Sequence, residues 1–313
     1  MSILSDLLRD VAALFFPPRC PVCGVPLAQG ERTVCTLCRT TAPLTGFWLE
    51  ADNPLLAKCR DMLPVERASG FLYYIHGSGW RELIRGFKYR GAWRTARAMG
   101  EWYGRCLKES GLYDGVEVVV PLPLHPVKRC RRGYNQSEYI AEGIASQLGA
   151  EVDRRSVRRK RNTESQALKP RRERARNVDE AFAVRRPERL EGRHVLLVDD
   201  VFTTGSTMLS CAGEMLRAAP GCRISIAALA VSRRELGVRE SSEIKNSFST
   251  GVIPCCGDCL RENRVINTIF DNNFAAAVLF SPPESLFLGS ERKDKSWLKI
   301  ITPPNATGRH SRR

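Results

Sequence analysis

The sequence predicts an α/β domain, a parallel sheet flanked by helices, with a small N-terminal module built on four cysteines. Three observations support this prediction. Short runs of Val, Leu and Ile alternate with longer stretches of helical periodicity, as in parallel sheets that are covered on both faces. One of these runs ends in two aspartates followed by a loop rich in hydroxyl groups. Near the N-terminus, four cysteines form two C-x2-C pairs.

The composition limits the partners that the chain can have. Its 313 residues suit one large domain plus a smaller module, and 49 Lys and Arg against 34 Asp and Glu give a net charge of +15. This charge favours anionic partners, and phosphorylated small molecules and nucleic acid both fit. No apolar run has the length of a membrane span, and Arg9 and Asp10 interrupt the first apolar stretch, which predicts an amphipathic helix rather than a signal peptide. We therefore expect a cytoplasmic protein whose 12 cysteines are metal ligands or buried thiols.

Residues 1–45 are predicted to form a helix followed by a zinc ribbon. Ser5 or Asp6 caps the helix, and Pro17 ends it. The pattern C-x2-C-x11-C-x2-C follows, in which each pair forms a knuckle that directs two thiolates to one ion. Two redox pairs or unrelated thiols are the alternative, which the ribbon spacing disfavours. The predicted ligands of a closed, structural zinc site are Cys20, Cys23, Cys35 and Cys38.

The next segment predicts a strand over 67–75 and helices over 79–90 and 92–108. Cations and aromatic rings are mixed where the two helices meet, at Lys88, Tyr89, Arg90 and Trp93. Contact with a ligand or nucleic acid is one interpretation. We favour the other, an amphipathic surface on which long cationic side chains cover the rings.

A second strand, 116–121, is followed by a cationic loop, 128–136, and a helix over 137–148. Since this loop follows a strand end, we expect it at the same sheet edge as the two aspartates and in contact with phosphate. A solvated run of charge is the alternative. The candidate residues are Arg131, Arg132 and Gly133, whereas His125 is expected to be structural.

Residues 154–177 are too rich in arginine and lysine to be buried. They predict a mobile loop or a short β-ribbon. The segment is either a linker or a lid that closes over a bound phosphorylated ligand and excludes water.

The stretch from Val195 to Thr207 organises the rest of the domain. Val195 to Val198 is a buried strand, and Asp199 and Asp200 stand at its carboxyl end, where open α/β sheets bind ligands. The loop that follows precedes a helix expected from Met208 onward, so its hydroxyl and backbone N–H groups form an anion site. An aspartate pair that only caps the helix would not need this loop, which comprises Thr203, Thr204, Gly205, Ser206 and Thr207.

The remaining elements are a helix over 208–218 and a last buried strand over 224–231. Beyond them, residues 236–313 lose hydrophobic periodicity and predict a poorly ordered or atypical extension. The extension is either accessory or the product of read-through or a shifted frame. Its lone C-x2-C pair, Cys256 and Cys259, is weak evidence for metal.

The acidic pair with its loop resembles the phosphoribosyl-pyrophosphate (PRPP) motif of type I phosphoribosyltransferases. Over roughly residues 18–235 the chain resembles the ComF family, the competence-associated branch of that superfamily. Four motifs in the family's order support the resemblance: the paired cysteines, P-L-P-L-H-P…R-R-G-Y-N-Q, R-N-T-E-S-Q-A-L…R-R-E-R-A-R-N-V and V-L-L-V-D-D-V-F-T-T-G-S-T.

The resemblance implies a five-stranded type I phosphoribosyltransferase-like sheet over residues 46–235, with a small hood and the zinc ribbon. It places Asp199 and Asp200 on the ribose hydroxyls, with Mg²⁺, and Thr203 to Thr207 on the 5-phosphate. The cationic loop would then hold the departing pyrophosphate. The resemblance also implies a role in DNA uptake beside a helicase-like partner that acts on single-stranded DNA.

Two functions remain open at this level. The first is a Mg²⁺-dependent phosphoribosyltransferase, a glycosyltransferase that moves ribose 5-phosphate from PRPP to a nitrogen nucleophile. The second is a non-catalytic module that binds a nucleotide or single-stranded DNA. Basic charge does not separate them, because PRPP and DNA are both polyanions.

Overall fold

The computed structural model describes residues 18–89, 91–160 and 181–237. The helices in this part of the chain are α1 (Thr36–Thr40), α2 (Pro54–Arg60), α3 (Gly79–Gly86), α4 (Trp93–Glu109), α5 (Pro126–Arg132), α6 (Gln136–Leu148) and α7 (Ser206–Ala218). The strands are β1 (Val65–Tyr73), β2 (Val118–Pro121), β3 (Glu151–Val152), β4 (Val157–Arg159), β5 (Phe182–Val184), β6 (His194–Phe202) and β7 (Arg223–Val231). None of the described helices is long and apolar enough to cross a membrane.

A five-stranded parallel sheet organises the domain, in the order β1-β7-β6-β2-β3. Its central strands are covered on both faces, which explains their continuous runs of Val, Leu, Ile and Ala. The predicted parallel sheet flanked by helices is confirmed. The edge strand β3 escaped prediction because two residues show no period.

The strand β6 is longer than predicted, and this determines where the aspartates lie. Its pairing with β2 ends at Pro121 and Val198, but its pairing with β7 continues to Phe202 and Val231. Asp199 and Asp200 therefore belong to the strand rather than following it. They lie just beyond the end of β2, where the sheet edge opens.

The predicted cationic loop is partly helical, which corrects the interpretation of 128–136 as a loop. The helix α5 begins at Pro126, and His125 caps it by accepting a hydrogen bond from the Val127 N–H through Nδ1, at 3.3 Å. Gly133, with φ of 80°, ends it. Proline is favoured at the first position of a helix and glycine just after its last, so the sequence itself indicated this helix.

A two-stranded antiparallel ribbon, β4 with β5, stands apart from the main sheet. It contains the start of the arginine-rich segment that was expected to be a loop or ribbon. The rest of that segment, with the proposed lid, lies outside the described residues. The same is true of the N-terminal helix, of Cys256 and Cys259, and of the extension beyond 237.

The cysteine module packs directly on the domain. Cys20, Cys35 and Cys38 are buried in the same apolar cluster as Trp80 and Trp102. At the start of α3, a Cβ built on Gly79 would lie 1.9 Å from the carbonyl oxygen of Val22. Glycine is therefore what allows the knuckle between Cys20 and Cys23 to contact α3.

Candidate functional site

The aspartate pair forms the floor of a cleft at the carboxyl edge of the sheet. Asp199 accepts hydrogen bonds from the Ser137 hydroxyl and the Asp200 N–H, both at 2.8 Å from its Oδ1. Asp200 is 5% exposed. Burial and the neighbouring charge of Asp200 raise the pKa of Asp199, although both hydrogen bonds and Lys88 oppose the shift. Two adjacent acids, of which Asp200 is buried and Asp199 is half-buried, are costly for the fold, which favours a role in binding a ligand.

Lys88 belongs to this cleft, although the sequence favours a structural role for Lys88 and its cationic and aromatic neighbours. Its Nζ lies 3.1 Å from Oδ2 of Asp200. Burial disfavours the charged amine, but the carboxylates of Asp200 and Asp199 outweigh burial and raise the pKa of Lys88. Nearby, Arg94 covers the ring of Trp93 as the structural interpretation expected. That interpretation is wrong for Lys88, because α3 ends at the sheet edge and aims this residue at the acids.

The start of α6 contributes three polar side chains that the sequence analysis did not assign to the site. Asn135 caps the helix, and its side chain also donates to the Leu122 carbonyl at 3.0 Å. Gln136 donates to Oδ2 of Asp200 at 3.3 Å, while Ser137 donates to Asp199. The sequence held one signal for their role. They follow the end of β2 and of α5, so they lie at the sheet edge where β6 also ends.

The hydroxyl segment Thr203–Thr207 spans the turn after β6 and the start of α7, which begins at Ser206 rather than at the expected Met208, and only the ends of the segment line the cleft. Thr203 and Thr207 line the cleft, whereas Thr204 and Ser206 do not, and the hydroxyls of Thr204 and Ser206 lie 2.9 Å apart. Gly205 has φ of 81°, and a Cβ there would lie 2.2 Å from the Phe202 ring. The loop therefore needs glycine for its backbone and for its packing on Phe202.

The three cationic-loop candidates are separated by the structure. Arg132 lines the cleft, and its guanidinium donates to Oε1 of Gln136 at 3.3 Å. Arg131 is exposed and does not line this cleft, and Gly133 forms the C-cap of α5. Among the three, Arg132 is the residue within reach of a ligand beside the acids.

The resulting cleft has a volume of about 310 Å³ and a mainly polar lining. The acids lie on one side, and Lys88, Arg132 and Arg159 supply positive charge. Hydroxyl, amide and carboxylate groups suit a polyhydroxylated ligand, and the cations suit phosphate. Carboxylates are also the groups with which proteins hold Mg²⁺ beside a phosphorylated substrate.

The four cysteines meet as predicted. Their Sγ atoms all lie within 4.8 Å of one another, and those of Cys23 and Cys35 are 3.6 Å apart. Ligands bound to one tetrahedral zinc at about 2.3 Å would be separated by about 3.8 Å, so the set fits a Cys₄ zinc site. Such a site has no open position and would supply structure rather than chemistry.

Comparisons with known proteins agree with this architecture. The chain matches the family described as "Phosphoribosyl transferase domain" over residues 135–254. It is similar to DNA utilization protein YhgH of Escherichia coli K12, with 28% identity over 215 residues, covering 65% of this chain and 93% of YhgH.

Two competence proteins are also similar. Competence protein F of Haemophilus influenzae is 36% identical over 94 residues, covering 29% of this chain and 41% of that protein. Competence protein ComFC of Bacillus subtilis is 27% identical over 209 residues, covering 66% and 75%. Together with the parallel sheet and the N-terminal cysteine cluster, these matches support a phosphoribosyltransferase-like protein of the ComF family.

Proposed function

We propose that the cleft binds PRPP together with Mg²⁺ and that the protein is a phosphoribosyltransferase acting in DNA uptake. The observation that carries the proposal is the adjacent pair Asp199–Asp200, which lies beside the Thr203–Thr207 segment at the open edge of a parallel sheet. Ligands of open α/β sheets bind at this edge. A ribose 5-phosphate matches this arrangement, because its phosphate would lie on the loop while its hydroxyls contact the two acids.

In this proposal, the N–H groups at the start of α7 and the hydroxyls of the loop bind the 5-phosphate. Asp199 and Asp200 accept from the 2- and 3-hydroxyls of the ribose. Mg²⁺ supplies charge neutralisation to the pyrophosphate when bound. Lys88 and Arg132 are the cleft cations that would stabilise the departing pyrophosphate. Lys88 already forms an ion pair with Asp200.

The reaction requires little covalent chemistry from the protein. The acceptor's nucleophile forms a bond to C1 of the ribose as the bond from C1 to the pyrophosphate oxygen breaks. Pyrophosphate leaves with the bonding electrons, and the proton of the acceptor passes to solvent. Orientation and charge stabilisation therefore account for catalysis, so no nucleophilic side chain is needed.

We infer the biological role from the relatives, whose names refer to DNA utilization and competence. We place the protein in the cytoplasm, beside a helicase-like competence partner that delivers single-stranded DNA. A second candidate function is non-catalytic binding of single-stranded DNA or a nucleotide, which the net charge of +15 favours.

Calorimetric titration separates these functions. We expect PRPP to bind in the presence of Mg²⁺, and ribose 5-phosphate to bind much more weakly because it lacks the pyrophosphate and its metal. Binding of an oligonucleotide through its backbone would instead weaken steeply with added salt, because counterions are released from the strand. Salt-sensitive oligonucleotide binding without any PRPP binding would reject the enzyme and favour the binding module.

A further inference from the structure

A second cleft, of about 680 Å³, lies beside the first and is strongly cationic. It opens between the β4–β5 ribbon and the helices α5 and α6. Seven arginines line it: Arg129, Arg154, Arg155, Arg158, Arg159, Arg185 and Arg186. Of the described residues that line it, Glu138 is the one carboxylate.

Most of this charge has no compensation among the described residues. Arg129 pairs with Glu138 at 3.1 Å, and Arg154 pairs with Glu142 at 2.6 Å. Four of the arginines are exposed and form no ion pair with any described carboxylate: Arg155, Arg158, Arg185 and Arg186.

The ribbon brings these cations together at some cost. Val157 pairs with Val184, and the Arg185 N–H donates to the Ser156 carbonyl at 2.7 Å. Arg155 and Arg186 follow directly beyond this end of the ribbon, and both line the cleft. Like charges at neighbouring cross-strand positions repel.

The turn before the ribbon holds this arrangement in place. Asp153 is 5% exposed and accepts from the N–H groups of Arg155 and Ser156, at 2.8 and 2.9 Å. Its other oxygen faces Nε of Arg189 at 3.4 Å. Burial would raise the pKa of Asp153, but the hydrogen bond from the Ser156 hydroxyl, the two N–H groups and the charge of Arg189 outweigh it and lower the pKa. The backbone that presents Arg154 and Arg155 is thus fixed before any ligand arrives.

The lining favours phosphate groups over stacked bases. Arginine is the side chain that binds phosphate with paired hydrogen bonds. Sites for single-stranded nucleic acid combine such a groove with aromatic side chains on which bases stack, and none of the described residues lining this cleft is aromatic. The volume falls in the range of small-molecule sites.

The two clefts adjoin each other. Pro123, Leu124, Asn135 and Arg159 line both of them. A ligand in the arginine cleft would therefore lie next to a sugar phosphate bound over Asp199 and Asp200.

We propose that the arginine cleft binds the phosphate groups of a nucleotide-sized second ligand, and that this ligand is the phosphoribosyl acceptor. The acceptor role rests on the proposed function, whereas phosphate binding in the cleft does not. The unknown acceptor is then an anionic, phosphorylated compound rather than a free base.

Titration of the full chain with adenosine, its 5′-monophosphate and its 5′-triphosphate, with PRPP and Mg²⁺ saturating, tests the proposal. We expect affinity to rise with the number of phosphates and adenosine to bind too weakly to measure. The double variant Arg158→Gln/Arg185→Gln should bind the triphosphate at least about tenfold more weakly, because it loses two charged hydrogen-bond donors. Its affinity for PRPP with Mg²⁺ should be unchanged.

Arg217→Gln is the control for the loss of an exposed arginine elsewhere on the domain, since Arg217 lines neither cleft. Zinc content and melting temperature show whether each variant is folded. Equal triphosphate affinity in wild type and double variant would overturn the proposal. So would adenosine binding as tightly as its phosphates, or binding of an oligothymidylate but of no mononucleotide.

The two proposals fail in different ways. If nucleotides bind through the arginines but PRPP does not bind, the proposed function fails and phosphate binding stands. If PRPP binds with Mg²⁺ but no nucleotide does, the arginine cleft is not a phosphate site and the proposed function is unaffected.

Discussion

At the scale of single residues, the aspartate pair is a feature that folding alone would disfavour. Asp199 is held by Ser137 and by the Asp200 N–H, yet burial and Asp200 raise its pKa. The ionised form is therefore less stable in the folded chain than in the unfolded chain. Proteins tolerate such groups where they serve ligand binding.

This imbalance predicts how stability depends on pH. An acid whose pKa is raised on folding contributes stability that is present below its unfolded pKa, near 4, and is lost as pH rises toward the folded pKa. In Asp199→Asn the side chain keeps its shape but cannot ionise, so the variant does not lose this stability as the pH rises. We expect the variant to melt higher than wild type at neutral and alkaline pH, with a smaller difference near pH 4.

Thermal unfolding across this pH range, with Asp61→Asn as a surface control, measures the effect. A variant that is less stable than wild type at every pH would show that the ionised carboxylate supports the fold. The raised pKa would then be wrong.

At the scale of elements, the cysteine module supports the helix that leads to Lys88. The knuckle between Cys20 and Cys23 contacts α3 at Gly79, and α3 ends two residues before Lys88, which reaches Asp200. Trp80, Leu83 and Ile84 of α3 share one apolar cluster with three of the cysteines. The position of Lys88 therefore depends on the ribbon.

A pair of glycine variants on α3 tests this dependence. Gly79→Ala places a Cβ 1.9 Å from the Val22 carbonyl oxygen, so the ribbon and helix must separate, at a cost of about 1–3 kcal/mol. Gly86→Ala meets nothing within 4 Å and should be neutral or slightly stabilising. We expect the first variant, and not the second, to lower both the melting temperature and the affinity for PRPP with Mg²⁺.

Cysteine replacement tests the metal itself. Cys35→Ser should abolish the stoichiometric zinc of the purified protein and loosen the ribbon, because small four-cysteine modules fold on their metal. A metal assay and near-ultraviolet circular dichroism measure the two effects. Full zinc in a Cys20→Ser/Cys23→Ser double variant would contradict the four-cysteine site.

At the scale of the whole molecule, we propose that the domain extends one short turn beyond Glu235, where the sequence predicts its boundary. Arg234–Leu236 form a 3₁₀ turn, and Leu236 packs against the apolar cluster on one face of the sheet. Lys58 donates to the Glu235 carbonyl at 2.6 Å. The sequence could not show this, because the turn has no hydrophobic period of its own.

Two truncations test the boundary. A chain ending at Gly237 should keep the zinc content and melting temperature of the full chain. A chain ending at Arg233 loses Leu236 and the contact of Lys58, and should melt several degrees lower, equivalent to about 1 kcal/mol. A large loss in the longer chain would mean that residues beyond 237 stabilise the domain.

The sequence predicted more of the fold than of the site. Buried strands, helical periods and cysteine spacing are local patterns, so β1, β2, β6, β7 and the metal module were accessible. Lys88, Gln136 and Ser137 join the site only because α3 and α6 end or begin at one sheet edge. Arg131 and Arg132 are neighbours in sequence but point to different surroundings, because α5 is a helix.

The measurement that tests the central claim most directly is calorimetric titration of PRPP with Mg²⁺ into wild type and the Asp199→Asn/Asp200→Asn variant. The account predicts Mg²⁺-dependent binding to wild type and a loss of at least about tenfold in the variant, since charged hydrogen bonds to the ribose disappear. The variant should retain its zinc and its cooperative unfolding. Equal affinity in the two proteins, or no binding to folded wild type, would contradict it.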